Sequence, residues 1–549
     1  MDNLFCNLQI ITDRKSFGRR RDQVKYWINI TFVAMVCMLP MVVHAEEKWV
    51  IETLEHHIVY SAPDKGSTVL SEGAGKQTYE ATDIKEGFYQ ISVNGTAGYI
   101  HNKEATSKFE KHIKSFEVLE ETIPYYVVHK GEYIQRGTLS KGIVLSRTNS
   151  MADYHIIEDG KGVFYVPIKG TSPTSKTPIA VQQRKAKYPM KLSNPKEIVV
   201  YDKNDRKIGT LKANSSINLL GLNKGKGVIS FLGKDGRIPM AELVHSNLLQ
   251  PKKVLKHDEL SYFLQVIAAL YPSFTKLEVI GKSVEGKELH ALRVGNGKRE
   301  VLIDGAMHAR EHMTSNLLAE MIDTYTFHYE KQTNYSGYNV RNVLNQTSIW
   351  FVPMMNPDGV TLVQSGPKSL KFGSLATQIN GGTNFNRWKA NIRGVDLNDN
   401  FASAWEKIRG GSNKPAYMAY KGFRVFSEPE ARALRDFVKK HNFKTYISYH
   451  SSGQVMYWFN YQDSTRLKRD RGLASKLSNI TGYRVMPPQN LPGSGSSADW
   501  FIQETKNPGI TLEISPAVGE KPVPLFRWDA VWQQNKSIGL FLSKEATTR

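Results

Sequence analysis

Cysteine is nearly absent from this chain of 549 residues: the two present, Cys6 and Cys37, both precede Ala45. Downstream of Ala45 a disulfide framework and cysteine-based metal or nucleophile chemistry are therefore excluded. Long apolar runs are equally scarce. Trp27–Val43 alone approaches a membrane span, and it is slightly short for one. Acidic residues are in deficit, with 52 Asp and Glu against 73 Lys and Arg, a formal charge of +21. The cations are spread along the chain, without an aromatic-basic recognition motif, which argues against nucleic acid as a partner.

What the chain does have begins with a leader. Lys15, Arg19, Arg20, Arg21 and Lys25 precede the apolar stretch, and Val43-His-Ala45 closes it with small residues ahead of Glu46-Glu47. Residues 1–45 match a secretory signal cleaved after Ala45, with an uncleaved membrane anchor as the alternative. A large exported chain without mature cysteines fits a secreted or wall-associated bacterial protein. Its excess positive charge then points to anionic cell-wall polymer or lipid head groups.

The length calls for at least two domains, and 40% hydrophobic with 23% charged residues describes globular ones. Three β-rich units are expected, over 46–110, 111–182 and 183–250. Each has short alternating strands and a closing strand with a glycine (Gly98, Gly162, Gly236). Residues 171–189, rich in Ser, Thr, Pro, Lys and Gln, have the composition of a linker. The first unit, with Phe88-Tyr89, Asn94-Gly95 and Gly98-Tyr99-Ile100, resembles bacterial SH3-like domains, and the other two do so more weakly. The resemblance implies wall binding; a spacer role is the alternative.

The remainder, 255–549, carries the chemistry. Val301–Gly305 is a short apolar run of the kind that forms a buried strand, and His308-Ala-Arg-Glu311 follows it. Thr314 and Ser315 can cap a helix whose apolar face holds Leu317, Leu318, Met321, Ile322 and Tyr325. Trp350–Met354 ends at the turn signal Asn356-Pro-Asp-Gly359. Phe443–Tyr449 runs into His450, and Gly509–Ile514 carries Glu513 among apolar neighbours, where a carboxylate is costly unless paired or functional. Reactive groups at the ends of several strands suit an open α/β sheet. Two imidazoles and a carboxylate leave one position of a zinc ion open for water, and a further carboxylate can take that water's proton. His308-Ala-Arg-Glu311-His312 also fits H-x-x-E-H, in which both histidines bind the metal and the glutamate is the base. That pattern needs a continuous helix, whereas helical periodicity starts only near Leu317.

His308-Ala-Arg-Glu311, Asn356-Pro-Asp-Gly359, Gly394-Val-Asp-Leu-Asn398, Tyr449-His450-Ser451, and Asp499-Trp500 ahead of Thr511-Leu-Glu513 together resemble the zinc carboxypeptidase family. The resemblance implies a mixed central sheet flanked by helices and one Zn²⁺ held by His308, Glu311 and His450. It makes Glu513 the general base and Asp396 the carboxylate that orients His308. Asn398 contacts the substrate's terminal group, Arg310 lies along the cleft, and either Arg387 or Lys389 polarises the carbonyl.

The sequence departs from that pattern twice. Asp399 stands where relatives carry the arginine that binds a C-terminal carboxylate, and residues 489–495 lack the family's mobile tyrosine. The Gly-Val-Asp-Leu-Asn-Asp variant is similar to γ-D-glutamyl-meso-diaminopimelate peptidases, which implies bacterial cell-wall peptides as substrates. A general zinc carboxypeptidase and a catalytically dead wall-binding protein remain the alternatives.

Overall fold

Local alternation builds the N-terminal strands. In the computed structural model, Phe88–Val93 and Thr96–His101 pair antiparallel across Asn94-Gly95, both at positive φ (50° and 79°), a two-residue turn whose twist matches its strands. The structure describes residues 50–549 except 109–113, 152, 160–161, 177, 179–187, 189, 246 and 490–492. The expected leader lies outside the described residues, and no described helix is long and apolar enough to cross a membrane. The first β unit is a seven-stranded sheet around its own small core of Ile51, Val59, Ala81, Tyr89, Ile91, Ile100 and Ala105.

The second and third units share a single ten-stranded sheet. They meet where Gly137–Leu139 pairs antiparallel with Gly209–Leu211. Two glycines make that junction possible. A Cβ on Gly137 would lie 1.9 Å from the Thr210 carbonyl oxygen, and one on Gly209 would lie 2.2 Å from that of Thr138. The supposed linker is partly strand: Thr171–Pro173 pairs with Ser115–Val118 and is buried, because Phe116 and Val118 need cover there.

The C-terminal region is an eight-stranded mixed sheet. Its strands are β1 (Thr275–Lys282), β2 (Glu288–Val294), β3 (Arg299–Gly305), β4 (Thr347–Val352), β5 (Phe443–Ser451), β6 (Val455–Tyr457), β7 (Arg484–Val485) and β8 (Gly509–Ile514). Their order across the sheet is β1-β2-β4-β3-β5-β8-β6-β7. The central strands β4, β3, β5 and β8 are parallel. They are buried almost throughout, as strands covered on both faces must be. Helices Met313–Lys331 and Ile538–Ala546 contribute to the core on one face. Pro429–Lys440 and Ser497–Thr505 contribute to the core on the other. The chain leaves β3 for β4 on one side and later reaches β5 on the other, so a crevice opens at the C-terminal ends of β3 and β5.

The double β unit and this domain share one continuous core, from Phe116 to Ala546. At their junction buried His245 bonds through Nε2 to the Asp323 carbonyl (3.2 Å), and Asp323 Oδ2 accepts from the Leu248 amide (2.9 Å).

Candidate active site

The loop after β3 is held by backbone stitching rather than by a helix cap. Helix Met313–Lys331 begins with His312 at its N-cap and no side-chain cap. Thr314 does other work: its hydroxyl accepts from the Ala306 amide (2.7 Å) and donates to the Glu311 carbonyl (2.8 Å). Asn356, expected in a turn, is the N-cap of Pro357–Ser365 and donates to the Met307 and Ala390 carbonyls. Between these anchors His308 is extended and Ala309–Glu311 forms one tight 3₁₀ turn.

That turn brings His308, Glu311 and His450 together, all buried, with donor atoms within 4.8 Å of one another. The Nδ1 atoms of the two histidines face each other at 3.0 Å, and each lies 2.9–3.0 Å from a Glu311 oxygen. Their Nε2 atoms are tied elsewhere: His308 to Asp396 Oδ1 (3.0 Å), His450 to the Ser448 hydroxyl (3.2 Å). With their protons on Nε2, both rings would present an Nδ1 lone pair, beside a carboxylate, to one shared point. That donor set fits a zinc ion. His312 is buried too but stands outside the cluster, so the two-histidine helical reading does not apply.

The electrostatics follow from crowding. Burial opposes charge on Glu311, but His308 and His450 outweigh it and hold the carboxylate well below its usual range. Burial also opposes charge on His308, yet Glu311 and Asp396 raise it to about 9. Asp396 is held low against its own burial by His308 and Lys389, and its Oδ2 accepts from the Ala419 amide (3.0 Å).

Glu513 lies directly across the β5–β8 pair from His450 and lines a cavity of about 990 Å³. Its Oε2 is buried without a partner, and burial followed by the Glu311 charge pushes its pKa up to about 8. A carboxyl whose pKa sits near neutrality, beside a metal cluster and open to a cavity, suits proton transfer.

The structure separates the two candidates for carbonyl polarisation. Lys389 lines the cavity, and its pKa is raised against burial by Asp396, Glu311 and Glu513. Arg387 faces away from the cleft: its guanidinium donates to Asn380 Oδ1 and to the Asn380 carbonyl, and stacks 4.0 Å over Tyr417. The expectation that Arg387 touches substrate is corrected accordingly. Arg310 is not part of the cavity lining either; it donates to the Arg387 carbonyl (2.8 Å), while its charge is felt by Glu513.

Asn398 and Asp399 form the far wall together with Ser403, Asn460, Ser494, Asp499 and Gln503. Asn398 Oδ1 accepts from the Ser497 amide (3.1 Å), which turns its amide donors toward the cleft. Burial, then the charge of Asp396, pushes Asp399 up to about 7, with Lys389 and Lys421 opposing. Asp499 also rises, to about 6, through burial. Sequence reasoning noticed Asp499 as a motif residue and missed Ser403, Asn460, Ser494 and Gln503. The cavity has tyrosines, but Tyr457 ends β6 and Tyr461 lies in the loop that follows it; residues 490–492 of the segment expected to hold the family's tyrosine lie outside the described residues.

An open, mixed α/β sheet with a buried His-Glu-His cluster and a partnerless carboxylate at its crevice defines a metallohydrolase. The zinc carboxypeptidase family model matches residues 260–521. The γ-D-glutamyl-L-diamino acid endopeptidase 1 of Lysinibacillus sphaericus is 32% identical over 284 residues, covering 51% of this chain and 69% of that protein. Carboxypeptidase B of Astacus astacus is 26% identical, covering 44% and 80%. Among solved structures, carboxypeptidase A from Helicoverpa armigera matches with 21% identity and a TM-score of 0.43, covering 55% of this chain and 75% of that one. This chain belongs to the zinc carboxypeptidase family and is a zinc metallopeptidase.

Proposed function

We propose that the protein hydrolyses γ-D-glutamyl–diamino acid bonds in bacterial cell-wall peptides, outside the cell, with its β region engaging anionic wall polymer. The observation that carries this reading is Asp399 next to Asn398 on the cleft wall. A carboxylate there repels a bare C-terminal carboxylate and attracts a centre that also bears an ammonium, as the distal end of meso-diaminopimelate does. The 32% identity to the γ-D-glutamyl-L-diamino acid endopeptidase of Lysinibacillus sphaericus supports it.

In this reading His308, Glu311 and His450 hold the zinc, and Asp396 fixes the ring of His308. A zinc ion held there would supply Lewis-acid chemistry, lowering the pKa of a water and polarising the scissile carbonyl. Glu513 takes the proton from the attacking water and returns it to the leaving amine. Lys389 balances the negative charge that develops on the carbonyl oxygen. Asn398 donates to the substrate's terminal carboxylate, and Asp399 accepts from the ammonium.

The test is a digest of purified peptidoglycan analysed by mass spectrometry, alongside paired peptides ending in diaminopimelate or in an ordinary residue. Release at the γ-D-glutamyl bond is expected. Equal cleavage of both peptides would leave a general zinc carboxypeptidase.

A further inference from the structure

Asp304 is fully buried in β3, four residues ahead of His308, and has no part in the chemistry above. It lies directly opposite Ser448 in the parallel β3–β5 pair. Alternation along β5 puts Tyr446, Ser448 and His450 on one face of the strand, so Asp304 meets a row of three polar side chains in an otherwise apolar sheet.

Two arms leave this carboxyl. In the first, the Tyr446 hydroxyl donates to Asp304 Oδ2 at 2.6 Å and lies 3.0 Å from Ser497 Oγ. That hydroxyl has one proton for the two contacts, and the Ser497 hydroxyl in turn donates to Asn398 Oδ1 (3.3 Å). Ser497 is the first residue of helix Ser497–Thr505, and its amide donates to Asn398 Oδ1. The second arm runs through Ser448, whose oxygen is 3.2 Å from His450 Nε2. If His450 presents Nδ1 to the metal, its proton sits on Nε2 and is donated to Ser448. The Ser448 hydrogen is then free, and Asp304, directly opposite across the strand pair, has in Oδ1 an acceptor without a hydrogen-bond partner.

We propose that Asp304 is a positioning residue that holds two working groups at once: the metal ligand His450 through Ser448, and the substrate-facing Asn398 through Tyr446 and Ser497. The inference rests on the roles given above to His450 and Asn398. A buried carboxyl is costly unless both of its oxygens are satisfied, and Ser448 is the hydroxyl placed opposite the one that Tyr446 leaves open. Here completing the network orients one group for the metal and another for the substrate.

The two arms can be cut separately in the full-length protein. Zinc affinity is measured by competition with a chromophoric chelator. KM and kcat are measured on whichever of the two paired peptides the unmutated protein cleaves better. Ser448→Ala should weaken zinc binding about 10- to 100-fold, the usual effect of removing a ligand's outer partner, with KM unchanged once zinc is saturating. Ser448→Thr keeps the hydroxyl and should restore the affinity. Tyr446→Phe should leave zinc affinity unchanged and raise KM several-fold, and Asp304→Asn should show both defects. His450→Ala serves as the reference: if it keeps full zinc affinity, the ligand assignment fails, and that outcome is distinct from failure of the relay. The proposal is overturned if Ser448→Ala and Tyr446→Phe give the same pattern. It is equally overturned if both lower only thermal stability while zinc affinity and KM stay at wild-type values.

Discussion

The two walls of the cleft are built in different ways. The metal-side wall stands on strand ends: His308 and Glu311 just past β3, His450 at the end of β5, and Glu513 in register with it on β8. The far wall is made of loop and helix-end residues far apart in sequence, joined by their own hydrogen bonds. Asn460 donates to Ser403 (2.9 Å), Gln503 donates to Asn460 (3.1 Å), and Ser494 bonds to Asp499. A sheet fixes its ligands by register, so one short motif per strand is enough to hold the metal-side wall. Loops tied to loops can exchange residues without disturbing the sheet, and that is where a family changes substrate.

The sharpest way to break the contrast is to remove chemistry from the metal-side wall without disturbing its geometry. Glu513→Gln keeps the shape and cannot accept a proton, so kcat should fall by about 10²–10⁴-fold with stoichiometric zinc retained by elemental analysis. Loss of zinc would instead make Glu513 a ligand. His308→Ala should remove the metal itself, because it takes away a ligand and leaves Asp396 buried beside an empty place.

Changes on the far wall should redirect the enzyme and leave the chemistry intact. Asp399→Arg should depress cleavage of diaminopimelate-terminated peptides about 10- to 100-fold and raise cleavage of peptides with an ordinary free C-terminus, zinc content being unchanged. A pH series sharpens the point. Burial, followed by the charge of Asp396, holds Asp399 up near 7 in the free protein. Below that pH the carboxyl is neutral and cannot attract an ammonium; above it the anion forms. The preference for the diaminopimelate peptide should therefore grow between pH 6 and 8, and Asp399→Asn should flatten that growth. A preference that falls over the same interval would count against Asp399 as the ammonium reader.

Legibility in the sequence follows the same division. The metal-side residues could be found because strand ends leave motifs: an apolar run, then a polar residue in fixed order. Glu513 showed itself as a charge inside an apolar strand. The choice between Arg387 and Lys389 was not legible, because what removes Arg387 from the cleft is its grip on Asn380 and Tyr417, a contact spacing does not encode. Ser403 and Asn460 gave no signal, since a lone polar loop residue usually faces solvent. The fusion of the second and third β units was hidden for a related reason. Their pairing depends on two glycines, Gly137 and Gly209, each of which meets a carbonyl of the other unit's strand only once both units have folded.

The smallest effect concerns a carboxyl that serves neither wall. Glu430 is fully buried in helix Pro429–Lys440, accepting from the Val284 amide (3.3 Å). Burial, with Asp358 and Glu428 nearby, raises it to about 8. An acid whose pKa is higher folded than unfolded must be protonated to fold. Its penalty is absent below the unfolded value near 4.5 and grows as pH rises toward the folded value near 8. Glu430→Gln imitates the protonated form at every pH. Its melting temperature should exceed that of the unmutated protein by several degrees at pH 7.5, and the two should converge near pH 4.5. Because Glu430 lies outside the cleft, kcat and KM should not move. A gain in stability with unchanged kinetics would place the carboxyl with the scaffold, whereas a shift in KM would show that the helix beneath the far wall transmits its state to the substrate site.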